Sequence, residues 1–140
     1  MGFISRVLYN VFTRLSTMPK LNAYQRKVLH GLMKELLILR DGEKCLKCTK
    51  TNALQMSHIY PKGHYRRMEF DPYNLKLLCV GCHLYWWHRN PMEARDWLAS
   101  VLPNDRLDYL KTRSLVTGGP LPDYNLIKLD LENEIRKLKK

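Results

Sequence analysis

Two C-x-x-C pairs, Cys45-Leu46-Lys47-Cys48 and Cys79-Val80-Gly81-Cys82, are separated by 30 residues and contain every cysteine of the chain. A C-x-x-C turn presents two sulfurs to one side of a tight loop, so two such pairs can close a tetrahedral thiolate site around zinc. The same residues could instead form two disulfides, in any of three pairings. Compartment decides between these chemistries. Arg6, Asn10 and Arg14 interrupt what would have to be the apolar stretch of a secretory signal, and no run of about 20 apolar residues offers a membrane span. An intracellular, reducing setting is the expectation, and there paired cysteines hold metal more often than they bond to each other. The expected cofactor is therefore structural Zn2+ on Cys45, Cys48, Cys79 and Cys82. Such binding is worth on the order of 10–16 kcal/mol in small metal-dependent peptides, enough to hold a segment with little regular core.

A chain of 140 residues is the size of one ordinary domain, and its 45% hydrophobic and 26% charged content excludes a disordered segment. The net charge is +11 with a pI of about 9.7. It is unevenly spread: +6 over residues 1–40, +4 over 41–90 and +1 over 91–140. Lysines and arginines that neutralise phosphates release condensed counterions, so a polyanion is the leading partner.

Three stretches follow from the periodicity. Residues 1–40 read as a basic helical extension. Phe3, Ile4, Val7, Leu8, Val11, Phe12 and Leu15 make one amphipathic helix that stops near Met18-Pro19. Asn22 and Gln25 form a capping box for a second, carried by Val28, Leu29, Leu32, Met33, Leu36 and Leu37 to about Arg40 and ended by Asp41-Gly42. Residues 41–90 are strand-like between the cysteine pairs, with turn signals at Pro61-Lys62-Gly63 and Asp71-Pro72, and predict a hairpin or small sheet. Residues 91–140 read as a helical C-terminal extension. Asn90-Pro91-Met92-Glu93 supplies a cap, a first-turn proline and a box-completing glutamate, with Ala94, Trp97, Leu98, Val101 and Leu102 as the buried face. A short helix over Asn104 to Arg113, a loop at Thr117-Gly118-Gly119-Pro120 with Pro122, and a tail helix capped by Asp123 complete the chain. The tail carries Tyr124, Ile127, Leu131, Ile135 and Leu138 at spacings that allow a coiled-coil contact.

Between the cysteine pairs, the histidine of Ser57-His58-Ile59-Tyr60-Pro61 is by residue type a zinc ligand, a packed core side chain or a catalytic base. The order of motifs narrows this. Cys45/Cys48, then His58-Ile59 with Pro61, then Asn74-Leu75, then Leu78-Cys79 with Cys82-His83 resembles the Cys-containing branch of the HNH endonuclease family over about a third of the chain. A looser likeness is to the NinG-type recombination proteins of lambda-like phages. It rests on His58, the basic stretch Lys62 to Arg67, Phe70, Asn74, Cys79/Cys82 and the helical residues 91–113, and suggests a phage or mobile-element protein in a host-cell cytoplasm.

The resemblance implies an α+β fold with a ββα-metal (HNH, or His-Me finger) core, a four-cysteine zinc site and flanking N- and C-terminal helices. It also implies metal-dependent hydrolysis of DNA phosphodiester bonds. His58 would be the general base, a task that suits an imidazole of ordinary pKa about 6.5. Asn74 would hydrogen-bond backbone across the hairpin and hold the His58 strand, and His83 would bind a catalytic divalent ion, Mg2+ or Mn2+. Family members usually carry an acid or histidine immediately before the base, where this chain has Ser57. Some carry a second histidine one helical turn after the first, where it has Trp87. On an α-helix His88 lies roughly 140° off the face of His83, so it joins the same ion only if that helix ends or bulges.

Lys62, His64, Tyr65, Arg66 and Arg67 follow His58 closely enough to flank a scissile phosphate, and their mix of cations and aromatics suits DNA backbone contact. Tyr85, Trp86 and Trp87 read as core. Two rival readings remain. A zinc-stapled DNA-binding or assembly module without catalysis is favoured by Ser57 and Trp87. A membrane-surface or protein-binding adaptor, or self-association, would use the N-terminal amphipathic helices or the C-terminal helix.

Overall fold

The Asn22 side chain accepts from the Gln25 N–H at 2.8 Å while the Gln25 side chain accepts from the Asn22 N–H at 3.0 Å. This reciprocal pair satisfies two donors that a helix start would otherwise strand. It opens α1, Ala23–Asp41, which ends where Gly42 takes φ 87°, a value that glycine adopts without strain. The computed structural model describes residues 20–116, 121 and 123–140. The helix expected before Met18-Pro19 and most of the expected loop at 117–122 lie outside the described residues.

Beyond the first cysteine pair the chain forms an antiparallel hairpin of β1 (Leu54–His58) and β2 (Leu75–Cys79), with Ser57 opposite Lys76 and His58 opposite Leu75. Two strands alone are marginal in water, and this pair is held because β2 is covered everywhere. The outward carbonyl of Leu77 accepts from the Leu46 N–H at 2.9 Å, and that of Leu75 accepts from Arg40 at 2.9 Å and Arg106 at 3.0 Å. An edge that could have templated a third strand is thereby closed.

Alternation along β2 sends its side chains to two different places. Leu75 and Leu77 join Leu29, Met33, Leu36 and Leu37 of α1 and Ile127, Leu131 and Ile135 of the tail helix α4 (Tyr124–Lys139) in one apolar cluster. The helices on either side of residues 41–90 therefore share a core with the hairpin. The apolar stripe of α4, which could have met another chain, is spent on α1. Leu78 faces the other way and packs, together with Cys79 at the strand's end, against Cys45, Trp87 and Trp97.

Short 3-10 turns at Arg66–Met68 and Pro72–Asn74 carry the chain between the strands. After β2, residues Gly81–Trp87 form a π-helix, followed by α2 (Pro91–Val101) and α3 (Asn104–Ser114). Buried Asp71 anchors α3, accepting from the Tyr109 hydroxyl at 2.5 Å and pairing with Arg113 at 3.1 Å. The result is a mixed α and β fold with a small antiparallel sheet.

Several local expectations are corrected. Asn90 and Asp123 stand at helix starts, but neither side chain makes a capping bond; Asn90 donates instead to the Trp86 carbonyl at 3.3 Å. Val101 is 45% exposed, because the buried stripe of α2 is only Ala94 and Leu98. Tyr85 is 61% exposed, and Trp86 and Trp87 are half-buried rather than core. The tail stripe stops at Ile135, leaving Leu138 exposed.

Candidate functional site

The four cysteine sulfurs all lie within 4.8 Å of one another, with Cys48 Sγ and Cys79 Sγ 3.6 Å apart. Tetrahedral zinc with bonds of about 2.3 Å places its sulfurs about 3.8 Å apart, whereas a disulfide needs about 2.05 Å. The arrangement is that of a single four-cysteine cluster, positioned to bind a metal ion and compatible with zinc. Each knuckle turns a backbone donor onto its first sulfur: the Cys48 N–H points at Cys45 Sγ and the Cys82 N–H at Cys79 Sγ, both at 3.5 Å. Burial resists thiolate formation at Cys45, but the surrounding N–H and thiol donors prevail and bring it down to about 7. At Cys82 burial and hydrogen bonds with the other three cysteines push the thiol up. Once one of these crowded thiols ionises, a second thiolate is opposed by its charge, and a divalent cation removes that repulsion.

His58 ends β1 with Nε2 2.9 Å from the Glu69 carbonyl oxygen. A carbonyl only accepts, so Nε2 carries the proton and Nδ1 keeps the lone pair of a base. Burial lowers the His58 pKa, and Lys62 and Lys76 lower it further against the opposing Glu69 contact. Asn74, fully buried, ties the strand ends together. Its Oδ1 accepts from the Tyr60 N–H at 2.8 Å, and its Nδ2 donates to the carbonyls of Tyr60 at 3.0 Å and Met68 at 3.1 Å. Its backbone carbonyl accepts from the Ile59 N–H at 2.8 Å.

His83 and His88 are brought together by the π-helix. A π-helix pairs residues five apart rather than four, and here the His88 N–H bonds the His83 carbonyl at 3.3 Å. The i+5 side chain therefore stacks beside the first: the two Nε2 atoms are 3.1 Å apart. Gln55, on β1, accepts from His83 Nδ1 at 2.8 Å, which leaves His83 Nε2 with its lone pair outward. Imidazole nitrogens bound at 2.0–2.1 Å stand about 2.9 Å apart around an octahedral ion and about 3.3 Å apart around a tetrahedral one. The observed spacing is that of a hydrogen bond between the two rings, with His88 Nε2–H donating to the His83 Nε2 lone pair, and it lies between those two ligand spacings. Burial, together with His88, Lys76 and His58, lowers the His83 pKa and favours the neutral, ligating ring.

Ser57 faces away from open solvent. It is fully buried and accepts from Lys76 Nζ at 3.0 Å, while that ammonium lies 3.3 Å from the centroid of the Trp87 ring. Neither Gln55 nor Lys76 stood out in the sequence. The signal for Lys76 was a lone cation inside the apolar run Leu75 to Cys79.

A cleft of about 1090 Å3 opens over this region, with His58, Met56, Lys62 and Tyr65 on one side, His83, Trp87 and His88 on another, and Arg95 and Lys111 on the helical wall. The basic loop divides. Lys62 and Tyr65 face the cleft, but Tyr65 packs edge-on against Tyr60 at 5.1 Å; His64 and Arg67 turn to a separate small pocket, and Arg66 stands exposed between. His30, Arg95 and Lys111, which sequence reasoning passed over, come to the cleft from α1, α2 and α3. Among the described residues no helix is long and apolar enough to cross a membrane. Comparison of the chain with protein-family models, curated proteins and solved structures finds no match.

Proposed function

We propose that the chain is a metal-dependent endonuclease of the HNH kind that hydrolyses DNA, with a structural zinc on Cys45, Cys48, Cys79 and Cys82. The observation that carries this reading is the His58 ring, its Nε2–H spent on the Glu69 carbonyl and its Nδ1 free, lining one cleft with the paired imidazoles of His83 and His88. His58 takes a proton from water as that water attacks a phosphorus. His83 and His88 would hold the divalent ion, which when bound stabilises charge on the scissile phosphate and the leaving oxygen. Two imidazoles without a carboxylate suit Ni2+ or Zn2+ better than the Mg2+ or Mn2+ expected from the resemblance. Asn74 keeps the hairpin closed so that His58 stays at the cleft. Lys62, Arg66, Arg95 and Lys111, which line the cleft and its rim, would meet phosphates along a duplex without reading its bases.

The test is relaxation and linearisation of supercoiled plasmid by zinc-loaded protein with added Mg2+, Mn2+ or Ni2+. His58→Ala is expected to lose roughly 10²–10⁴-fold in rate while zinc content and DNA affinity persist. Equal cleavage by the variant refutes the base assignment. A second reading, a zinc-stapled DNA-binding module, is favoured by Ser57, whose hydroxyl is engaged by Lys76 rather than offered to an ion. DNA binding without cleavage under any of these metals selects it.

A further inference from the structure

At the rim of the cleft a separate recess of about 420 Å3 is lined by Arg26 and His30 of α1, Lys62 and Gly63 of the loop after His58, Arg66 and Glu69. Glu69 is the one acid among the described residues lining it, so three cations face a single carboxylate. Lys62 and Arg66 are exposed and have no side-chain partner among the described residues. Gathering like charges in one place opposes folding, and an exposed ion pair returns little of that cost. Pairing with Glu69 therefore does not account for Arg26, Lys62 and Arg66 together.

The α1 wall of the recess is held in place. Arg26 and His30 stand four residues apart, hence on one face of the helix, and both rest on the Phe70 ring. His30 meets it edge-on with centroids 5.4 Å apart, and the Arg26 guanidinium carbon lies 5.9 Å from its centroid. Glu69 Oε2 accepts from Arg26 Nη1 at 2.5 Å. The glutamate side chain is 13% exposed and that of the arginine 42%, so the acid lies inside and steadies a guanidinium that reaches solvent. That bond uses one of five N–H groups, and the planar fork that remains can meet two oxygens of a phosphate at once.

Glu69 also ties the recess to His58. Its carbonyl accepts from His58 Nε2 at 2.9 Å while its carboxylate holds Arg26, and His30, Lys62 and Gly63 line recess and cleft alike. A strand that enters the cleft at His58 has its next phosphates within reach of the recess. We propose that Arg26, His30, Lys62 and Arg66 form a second phosphate-binding site, beside the histidine cleft, that takes a phosphate of the bound DNA strand other than the one facing His58. This deepens the nuclease reading and rests on its placing of DNA in the cleft. The ligand is a phosphate group, either a diester farther along that strand or the monoester at its end.

The experiment uses the zinc-loaded full chain without added divalent ion. Inorganic phosphate is titrated in while NMR follows the Arg26 Nε–H and the His30 ring protons, assigned with Arg26→Gln and His30→Gln. Saturable shifts are expected in the wild type, and loss of the His30 shift in Arg26→Gln. Affinity for a short duplex, with and without a 5′-phosphate, is then measured by fluorescence anisotropy over a range of salt concentrations. Removing one phosphate contact is expected to reduce the slope of log K against log salt by about 1. Equal loss on both duplexes assigns the recess to an internal diester; loss confined to the phosphorylated duplex assigns it to a strand end. Arg66→Gln removes a side chain with no described partner, so it is expected to fold and to act alike, and it separates a lost contact from a disturbed Glu69. Absence of saturable phosphate shifts, or an unchanged salt slope in either folded variant, overturns the proposal. None of these readouts needs catalysis, so wild-type protein that binds phosphate here and fails to cut DNA overturns the nuclease reading alone.

Discussion

Asn74→Ala should destabilise the protein far more than an average substitution. The residue is 0% exposed, and its side chain makes three hydrogen bonds, one accepted from the Tyr60 N–H and two donated to the Tyr60 and Met68 carbonyls. Truncation strands all three backbone groups. Each buried group left unpaired costs about 1–3 kcal/mol; Tyr60 is only half-buried and can recover water, whereas Met68 is 1% exposed and cannot. The sum is about 3–5 kcal/mol. For a domain of this size each kcal/mol lowers Tm by about 3–4 °C, so a drop on the order of 10–20 °C is expected. Urea denaturation of zinc-loaded wild type and variant measures it directly. Asn74→Asp is a sharper control: it keeps one acceptor for the Tyr60 N–H but turns an oxygen toward two carbonyls, and should be no better than alanine. If Asn74→Ala lies within about 1 kcal/mol of wild type, the three bonds do not hold the hairpin ends and the argument for Asn74 as the clamp behind His58 fails.

Two further outcomes follow from the two metal sites. Gln55→Leu removes the acceptor that orients His83 and is expected to weaken Mn2+ or Ni2+ binding, read by isothermal titration calorimetry, by about 10–100-fold; unchanged affinity would mean that the ring is held by something other than Gln55. Cys45→Ser should abolish zinc retention and cooperative unfolding, since on the order of 10 kcal/mol of metal binding is also folding free energy. A zinc-free variant with native circular dichroism would contradict that coupling.

What the sequence made legible was whatever depended on local pattern. The Asn22/Gln25 box, the stop at Gly42 and the two short strands bounded by cysteine turns each rest on residues within a few positions of one another. The cysteine cluster was legible despite its long range because two C-x-x-C pairs have few stable uses besides disulfides and a shared metal. The pairing of His83 with His88 was not. Read with the ordinary helical period, the two rings point apart, and only the insertion of one residue per turn aligns them. Wide turns of this kind are set by what the side chains find around them. Here Trp86 packs edge-on against Trp97 at 5.1 Å while Trp87 covers Lys76. The i+5 histidine spacing directly after a cysteine knuckle is the trace this leaves in the sequence. Buried charges were equally opaque: Lys76, Asp71, Arg106 and Arg113 count as ordinary surface charge until the chain is folded.

The cysteine cluster and the histidine cleft are mechanically one object. The second knuckle is the joint between β2, which ends at Cys79, and the π-helix, which begins at Gly81, so the cluster sets the angle at which the helix lies over the hairpin. The first knuckle clamps the same strand from its open edge through the Leu46 N–H on the Leu77 carbonyl. Every contact that shapes the candidate site from the helical side, Gln55 to His83 and Lys76 to Trp87, spans that joint. From the other side, His58 is held by Asn74 and Glu69, which belong to the loop between the strands and make no contact with the cluster among their hydrogen bonds. Chelation of a metal bound by the cluster is therefore expected to act on the two halves differently, shifting the NMR signals of His83 and His88 while those of His58 and Asn74, which keep bonds of their own, stay in place.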